Sequence, residues 1–518
     1  MSQLLESVSI SPGNPLIQQD LSSARCGLFE LADGMHYDVA VIGAGISGSR
    51  IFHQLCEQGY RVLLIDKGDF ACGTSQASGM MIWGGLLYLK DLDFITVAKL
   101  CRARDEWIAR VPHQVRTASL IYLQGRKGLR NRHLVHAGMM LYWLMGSLGR
   151  RFPKRLLEFQ DASFLKPGRF RGGLAFEEAV LHDSDSRFVL DWIMPHAGQQ
   201  TMALNHCTVG ELKFHENERR WNFDLHDCLQ GHQAAASARF IVNAAGVWTD
   251  RVNETLAVES PYRHEMSKGV YISIRRPEAL DKILIFDTGK DADTFTVSPW
   301  GPVALCGPTE ARVTSLHAGF QPTHDEIRSL LQMSNENLNV CLRPEDIVSL
   351  RCGVRPLAVR RDFNKIVHPL ELSRRHLIHH DRSRNVVSVY GGKLTSCSLM
   401  ADQVSALLSP HLRVKDHSNP HRLPPREMEK FPGLEHPVPA ATWCRDYESC
   451  LTLDDYLRRR TNIAQWIPRR GLGANSENTQ AIRRIARVFS ADAASAETAL
   501  MNYQASVSEC YDRILRAV

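Results

Sequence analysis

Gly43-Ala44-Gly45-Ile46-Ser47-Gly48 sets three glycines in the G-x-G-x-x-G spacing, and Asp66 follows Gly43 by 66 − 43 = 23 positions. Such glycines let a strand turn sharply into a helix. They also let backbone N–H groups approach a pyrophosphate, whose charge the positive helix end complements. A carboxylate about 20 residues further on suits the ribose hydroxyls. Gly43, Gly45, Gly48 and Asp66 therefore predict an adenine dinucleotide site, without distinguishing NAD from FAD. The segment that follows, Lys67–Gly85, is crowded with glycines and hydroxyl groups, among them Thr74, Ser75 and Ser78. That composition wraps donors around a long cofactor rather than filling a core. Far along the chain, Gly391-Gly392-Lys393 follows the apolar run Val386–Tyr390 and opens a helical pattern reaching Leu408. It gathers unsatisfied N–H groups and a cation at one point, which suits developing negative charge. Arg355 stands between Gly353 and Pro356, where its planar fork could hold an oxygen anion.

A parallel sheet is needed to bring these residues together. Tyr37–Ile42 reads as an apolar strand, a helix runs to Gln58, and Arg61–Ile65 is a second strand, which makes one βαβ unit. Arg239–Ala245 returns as a short apolar strand, and strands at Val270–Ile274 and Val386–Tyr390 flank a helix predicted over His324–Leu338. Irregular alternation from Ser78 to Ala235 predicts an inserted substrate domain. Residues 1–35 read as a flexible extension and 36–408 as the interleaved body. Residues 409–440, with seven prolines, read as a linker, and 441–518 as a small helical domain. At 518 residues with 44% hydrophobic and 23% charged content, the chain is long and apolar enough for several packed domains, and a net charge of +6 is too small to imply nucleic acid. Thirteen cysteines without a CxxC pair argue against a zinc ribbon and for a reducing compartment. The N-terminal residues lack a signal-peptide pattern, which predicts a cytoplasmic protein. Leu134–Leu148 is too short to span a bilayer and reads as a buried or interfacial helix. His376, His379 and His380 read as a strand surface, so no metal is assigned.

The order GAGISG, then DFACGTSQAS, then WGGLLYL resembles the flavin-dependent glycerol-3-phosphate dehydrogenase family, a branch of the flavoprotein oxidases related to D-amino-acid oxidase. IVNAAGVW at Ile241–Trp248, Ser267-Lys268-Gly269, GVRPL at Gly353–Leu357 and GGKLT at Gly391–Thr395 agree, and LTLDDYLRRRTNIAQW is similar to that family's helical C-terminal domain. The resemblance implies an α/β fold (α+β overall): a Rossmann-like FAD-binding domain, an interleaved mixed-sheet substrate domain and a small helical C-terminal domain. It adds Ala245, Gly246, Gly353, Gly392, Lys393, Leu394 and Thr395 to the FAD contacts, and gives catalytic roles to Arg355, Lys393, Tyr88 and Arg374. The implied reaction moves hydride from a hydroxyl-bearing carbon to flavin, glycerol 3-phosphate becoming dihydroxyacetone phosphate. The implied partners are a small-molecule substrate and a quinone or dioxygen as electron acceptor, with peripheral contact at the inner face of a membrane and a homodimer as further options.

Three departures bear on the substrate. Where the family reads H-G-G-L-R-Y-L, this chain has Trp83 and Leu87; where it reads K-G-S-H, Tyr271 replaces the histidine; and G-T-T-D becomes Gly307-Pro308-Thr309-Glu310. A lost arginine weakens phosphate recognition and a lost imidazole removes an acid–base group. A less charged hydroxy or amino substrate, or a flavin-binding scaffold with degraded catalysis, is the alternative expectation. Asp185 and Arg187 read equally as a family pair or a charge-paired helix start. Arg458-Arg459-Arg460 and Arg469-Arg470 could touch anionic lipid, a solvated helix face being the preferred reading.

Overall fold

The computed structural model describes residues 21–518 apart from 90–91, 126–131, 147, 157–162, 199–200, 288–293, 314, 317–319, 364–371, 373–374, 415–419 and 421. The strands that frame the site are β1 (His36–Ile42), β2 (Val62–Ile65), β3 (Met202–Leu204), β4 (Gln233–Asn243), β5 (Tyr262–Arg275), β6 (Ile347–Arg360) and β7 (Val386–Tyr390). The helices around them are α1 (Leu21–Ala32), α2 (Ile46–Glu57), α3 (Phe94–Arg110), α4 (Arg132–Leu144), α5 (Asp185–Ile193), α6 (His324–Asn337) and α7 (Cys397–Leu408).

The first sheet is parallel at its centre, in the order β7-β4-β1-β2-β3, with Leu377–Asp381 antiparallel on the β7 edge. The strands are near-continuous apolar runs, as burial on both faces demands. Alternate residues part to the two sides: Val39 and Val41 pack with Ile51, Phe52 and Leu55 of α2 and Met400 and Val404 of α7. Ala40 and Leu63 pack with Phe29 of α1 and Trp221 on the opposite face. The register aligns Ile42 with Ile65 and with Asn243, and Asn243 with Ser388. The carboxyl ends of β1, β2, β4 and β7 consequently share one edge, where ligands bind in open parallel sheets.

The second sheet is mixed and mainly antiparallel, built around the long pair β5/β6. Ile327 and Leu330 of α6 seal one of its faces. A third core, with Trp443, Tyr456, Ile482, Leu500 and Tyr503, belongs to the helical C-terminal segment.

Two boundaries differ from the sequence reading. The flexible extension expected over 1–35 is folded from Leu21: Phe29 and Ala32 are buried, and Arg25 forms a buried ion pair with Asp227 at 3.2 Å. The expected 409–440 linker ends early, because Met428–Glu429 pairs with Val438–Pro439 and buries Phe431 and Val438 in the C-terminal core. Proline spacing cannot reveal such burial, since proline is tolerated in short edge strands. Among the described residues, no helix is long and apolar enough to cross a membrane.

Candidate functional site: a cofactor edge and an arginine on the second sheet

The turn from β1 into α2 has Gly43 at φ +101°, a conformation that disfavours side chains, and a Cβ there would fall 2.6 Å from the Ala244 carbonyl oxygen. The Asp66 carboxylate accepts from the Ala44 N–H at 2.7 Å and from the Gly68 N–H at 3.0 Å. Burial outweighs those two donors and pushes its pKa up to about 6. The Ser75 hydroxyl accepts from the Ile46 N–H at 2.9 Å, so the loop after β2 folds back over the start of α2.

That loop also reaches the second sheet, where Thr74 Oγ1 donates to the Val354 carbonyl at 2.5 Å and Ala77 lies against Gly353. Gly391 N–H donates to His264 Nε2 at 2.9 Å, and a Cβ on Gly391 would lie 3.2 Å from Ala358 Cβ. A Cβ on Gly392 would lie 3.5 Å from Ser47 Oγ. The start of α2, residues 74–77, β6 and the Gly391–Lys393 turn thus surround one space. Gly43, Gly45, Ile46 and Ser47 are only half-buried there, and Lys393 stands at the head of the Leu394–Ser396 turn that leads into α7.

Ala245 and Gly246 follow β4 at the same edge. Leu394 and Thr395 are buried, and Thr395 Oγ1 donates to the Trp83 carbonyl at 2.9 Å. Ser78 is engaged elsewhere, since its N–H and hydroxyl both donate to Asp185 Oδ2 at 2.8 Å. Arg374 lies outside the described residues, as does the side chain of Tyr88.

On the second sheet, Arg355 projects from β6 across Gly269 of β5, whose Cβ would collide with the guanidinium. Only glycine admits the arginine there. Arg355 Nη1 donates to Glu310 Oε2 at 2.9 Å, and the Ser267 hydroxyl donates to the other carboxylate oxygen. The Arg355 side chain is 25% exposed and Glu310 only 3%. Lys268 is held by Glu326 at 2.7 Å, and Arg375 pairs with Asp93. The Tyr271 ring is buried beside Gly79.

The run Arg458–Arg460 overturns both expectations held for it, because these three side chains are buried rather than solvated or lipid-facing, whereas Arg469 and Arg470 are partly exposed and paired with Asp512 and Asp454. Arg459 and Arg460 both bind Asp69 at 2.6 Å, Arg459 also donates to Gln76 Oε1 at 3.2 Å, and Arg458 donates to the Gln76 carbonyl. Asp185 and Arg187 are likewise not paired with each other. Asp185 binds Arg351 at 2.7 Å, and Arg187 binds Glu448 through two hydrogen bonds at 2.5 and 2.8 Å while also pairing with Asp191 one turn on in α5 at 3.5 Å. Arg351 closes the circuit by donating to the Ser78 carbonyl and to Gln465 Oε1, each at 3.0 Å. These side chains tie the C-terminal domain to the loop that carries Thr74, Ser75 and Ser78. The sequence signal was a run of arginines, a pattern shared by solvated helix faces.

The family profile described as DAO, FAD dependent oxidoreductase, matches residues 38–407. The chain belongs to that family. It is an FAD-dependent oxidoreductase, and the open glycine turn at the carboxyl edge with Asp66 beside it fits such a cofactor. The chain is 29% identical over 378 residues to a glycerol-3-phosphate dehydrogenase of Pseudomonas tolaasii, covering 72% of each chain. It is 26% identical over 383 residues to the aerobic glycerol-3-phosphate dehydrogenase of Staphylococcus epidermidis, covering 73% of this chain and 68% of the relative. In fold it is similar to the glycerol-3-phosphate dehydrogenase of Bacillus halodurans complexed with FAD, with a TM-score of 0.67 at 17% identity over 95% of this chain and 98% of that one. An L-alpha-glycerophosphate oxidase of Mycoplasma pneumoniae with FAD bound gives 0.57 at 15% identity over 72% and 95%.

The raised pKa of Asp66 has a consequence for cofactor binding. Only the ionised carboxylate accepts hydrogen bonds from both ribose hydroxyls without giving up an acceptor site. With Asp66 as that acceptor and burial pushing its pKa up to about 6, affinity should be flat above about pH 7. Below about pH 6 it should weaken, by up to about tenfold per pH unit. Fluorescence titration of FAD into the apoprotein from acid to neutral pH tests this. Asp66→Asn should bind more weakly with a flattened profile, and a parent profile without a step rejects the role.

Proposed function

We propose that this oxidoreductase removes hydride from a hydroxyl-bearing carbon of glycerol 3-phosphate or a closely similar polyol phosphate. The observation that carries the reading is Arg355, a partly exposed guanidinium laid across Gly269 on the β5/β6 pair, beside the segments that enclose the cofactor edge. A planar fork in that position binds a phosphate or carboxylate in bidentate fashion. The curated relatives named glycerol-3-phosphate dehydrogenase support the substrate class. FAD, when bound, supplies the hydride acceptor. Lys393 and the start of α7 place positive potential at the cofactor edge, which favours charge that develops as the C–H bond breaks. Trp83 and Tyr271 offer no imidazole to take the hydroxyl proton, so the proton acceptor differs from the one the family resemblance implied.

A second reading, a less charged hydroxy compound, is favoured by the Glu310 carboxylate on Arg355, which offsets the cation that would meet a phosphate dianion. Anaerobic stopped-flow reduction of the flavin separates the two. Complete bleaching by glycerol 3-phosphate, with little by glycerol, supports the first. The reverse order supports the second, and no bleaching by any small alcohol or amine leaves a binding scaffold.

Quinone as acceptor is supported by exposed apolar side chains on both sides of the Leu86–Leu89 turn. Leu92, Phe94 and Ile95 stand at the start of α3, and Leu134, Leu141 and Leu144 lie along α4. Met139 and Tyr142 bury the other face of α4. Such a surface suits shallow contact with a membrane, where quinones reside.

A further inference from the structure

We propose that His53, Glu57 and His196 form a binding site for a borderline divalent metal ion of the zinc class. His53 and Glu57 are four residues apart on α2, so they share one face near its C-terminal end, and His196 arrives from the Met194–His196 turn after α5. His196 Nε2 lies 2.9 Å from His53 Nδ1 and 3.3 Å from Glu57 Oε1, and one ligand atom from each residue lies within 4.8 Å of the others. A tetrahedral ion about 2.0–2.1 Å from each donor sets its ligands ~3.3 Å apart, and the 2.9 and 3.3 Å separations from His196 lie within a few tenths of an ångström of that spacing. Two imidazoles and one carboxylate are a donor set that zinc accepts, with water in the fourth position.

The surroundings orient the donors. The Trp192 ring meets His53 edge-on at 4.6 Å, and Phe52 meets His196 edge-on at 6.5 Å. His196 is buried while Glu57 is exposed, which gives the site a wall and a mouth. Arg50 is a neighbouring cation that opposes an ion there. It is drawn aside onto the Trp192 ring and to Gln54, and Glu57 supplies the compensating negative charge. The helical spacing H-x-x-x-E was visible in the sequence, but its third ligand lies 143 residues away.

The ion would pin α2 to the end of α5, roughly two to three helical turns beyond the glycine turn, so its expected effect is on stability rather than on flavin reduction. The chelator-treated holoenzyme, titrated calorimetrically with Zn²⁺, should bind one equivalent and gain in Tm. X-ray absorption at the zinc edge should show nitrogen and oxygen ligands without sulfur, which separates this site from the 13 cysteines. Glu57→Gln, a change on the exposed helix surface that leaves the core untouched, should weaken Zn²⁺ binding at least tenfold, and His53→Gln should abolish it. Absence of stoichiometric binding, a sulfur shell, or undiminished affinity in both variants would overturn the site and leave a hydrogen-bonded histidine pair.

Discussion

Asp69→Asn should lower the thermal stability of the oxidoreductase by several degrees and loosen FAD at the same time. Asp69 is fully buried and binds Arg459 and Arg460 at 2.6 Å, with Asn205 Nδ2 donating to it at 2.8 Å. Burial alone would raise its pKa, but the two guanidinium groups outweigh that and hold the carboxyl well below the ordinary range. Removing one partner from such a pair leaves uncompensated charge in a low-dielectric interior, a loss of about 3–5 kcal/mol. Because Arg458 and Arg459 also hold Gln76, slack at Asp69 is transmitted to the segment bearing Thr74 and Ser75. A merely structural ion pair would lower Tm and leave the FAD dissociation constant alone. Here both should move. Arg460→Met should behave likewise, and the double variant should cost less than the sum of the singles, since each single already breaks the shared contact. The sign with pH follows from the depressed carboxyl: the stabilisation is present above the unfolded carboxylate range and is lost as pH falls toward the folded value. Unchanged Tm and unchanged FAD affinity in Asp69→Asn would refute the coupling.

The parts of this arrangement that were legible in the sequence are those with a local signature. The glycine turn, Asp66 and the Gly391–Lys393 turn were each visible because a tight turn at a strand end constrains residue type within a few positions. Val386–Tyr390 is a strand with the limits the apolar run suggests, and helix α6 ends one residue before the predicted Leu338. What stayed hidden is pairing across long separations. Asp185 finds Arg351 at a separation of 166 residues and Asp69 finds Arg460 at 391, whereas the eye pairs Asp185 with Arg187. A charged run gives no sign of being buried when its partners lie in another domain. The same limit applies to Glu310, which stood out only as a departure from a pattern, although it is the residue that sets the charge beside Arg355.

Glu310→Gln and Arg355→Met should move glycerol 3-phosphate oxidation in opposite directions. Arg355 is a partly exposed cation on the second sheet beside the cofactor edge, and Glu310 neutralises it at 2.9 Å from a buried position fixed by the Ser267 hydroxyl. A phosphate bound to the outer edge of the guanidinium sits roughly 5–6 Å from that carboxylate. At an effective dielectric constant near 20, each unit of like charge is then opposed by about 3 kcal/mol, much of it recovered through the arginine between them. Replacing the carboxylate by an amide keeps an acceptor for Arg355 and removes the repulsion. Glu310→Gln should therefore lower KM for glycerol 3-phosphate several-fold and leave glycerol unaffected. Arg355→Met removes the fork itself and should cut the rate of flavin reduction by glycerol 3-phosphate about tenfold for each ~1.4 kcal/mol of transition-state stabilisation lost, with FAD retained. The contrast between charged and neutral substrates is the decisive readout. If Glu310 serves only to orient Arg355, Glu310→Gln slows every substrate alike. If the phosphate is held elsewhere, Arg355→Met reduces its flavin as fast as the parent does, and the assignment of Arg355 as the anion-binding residue fails.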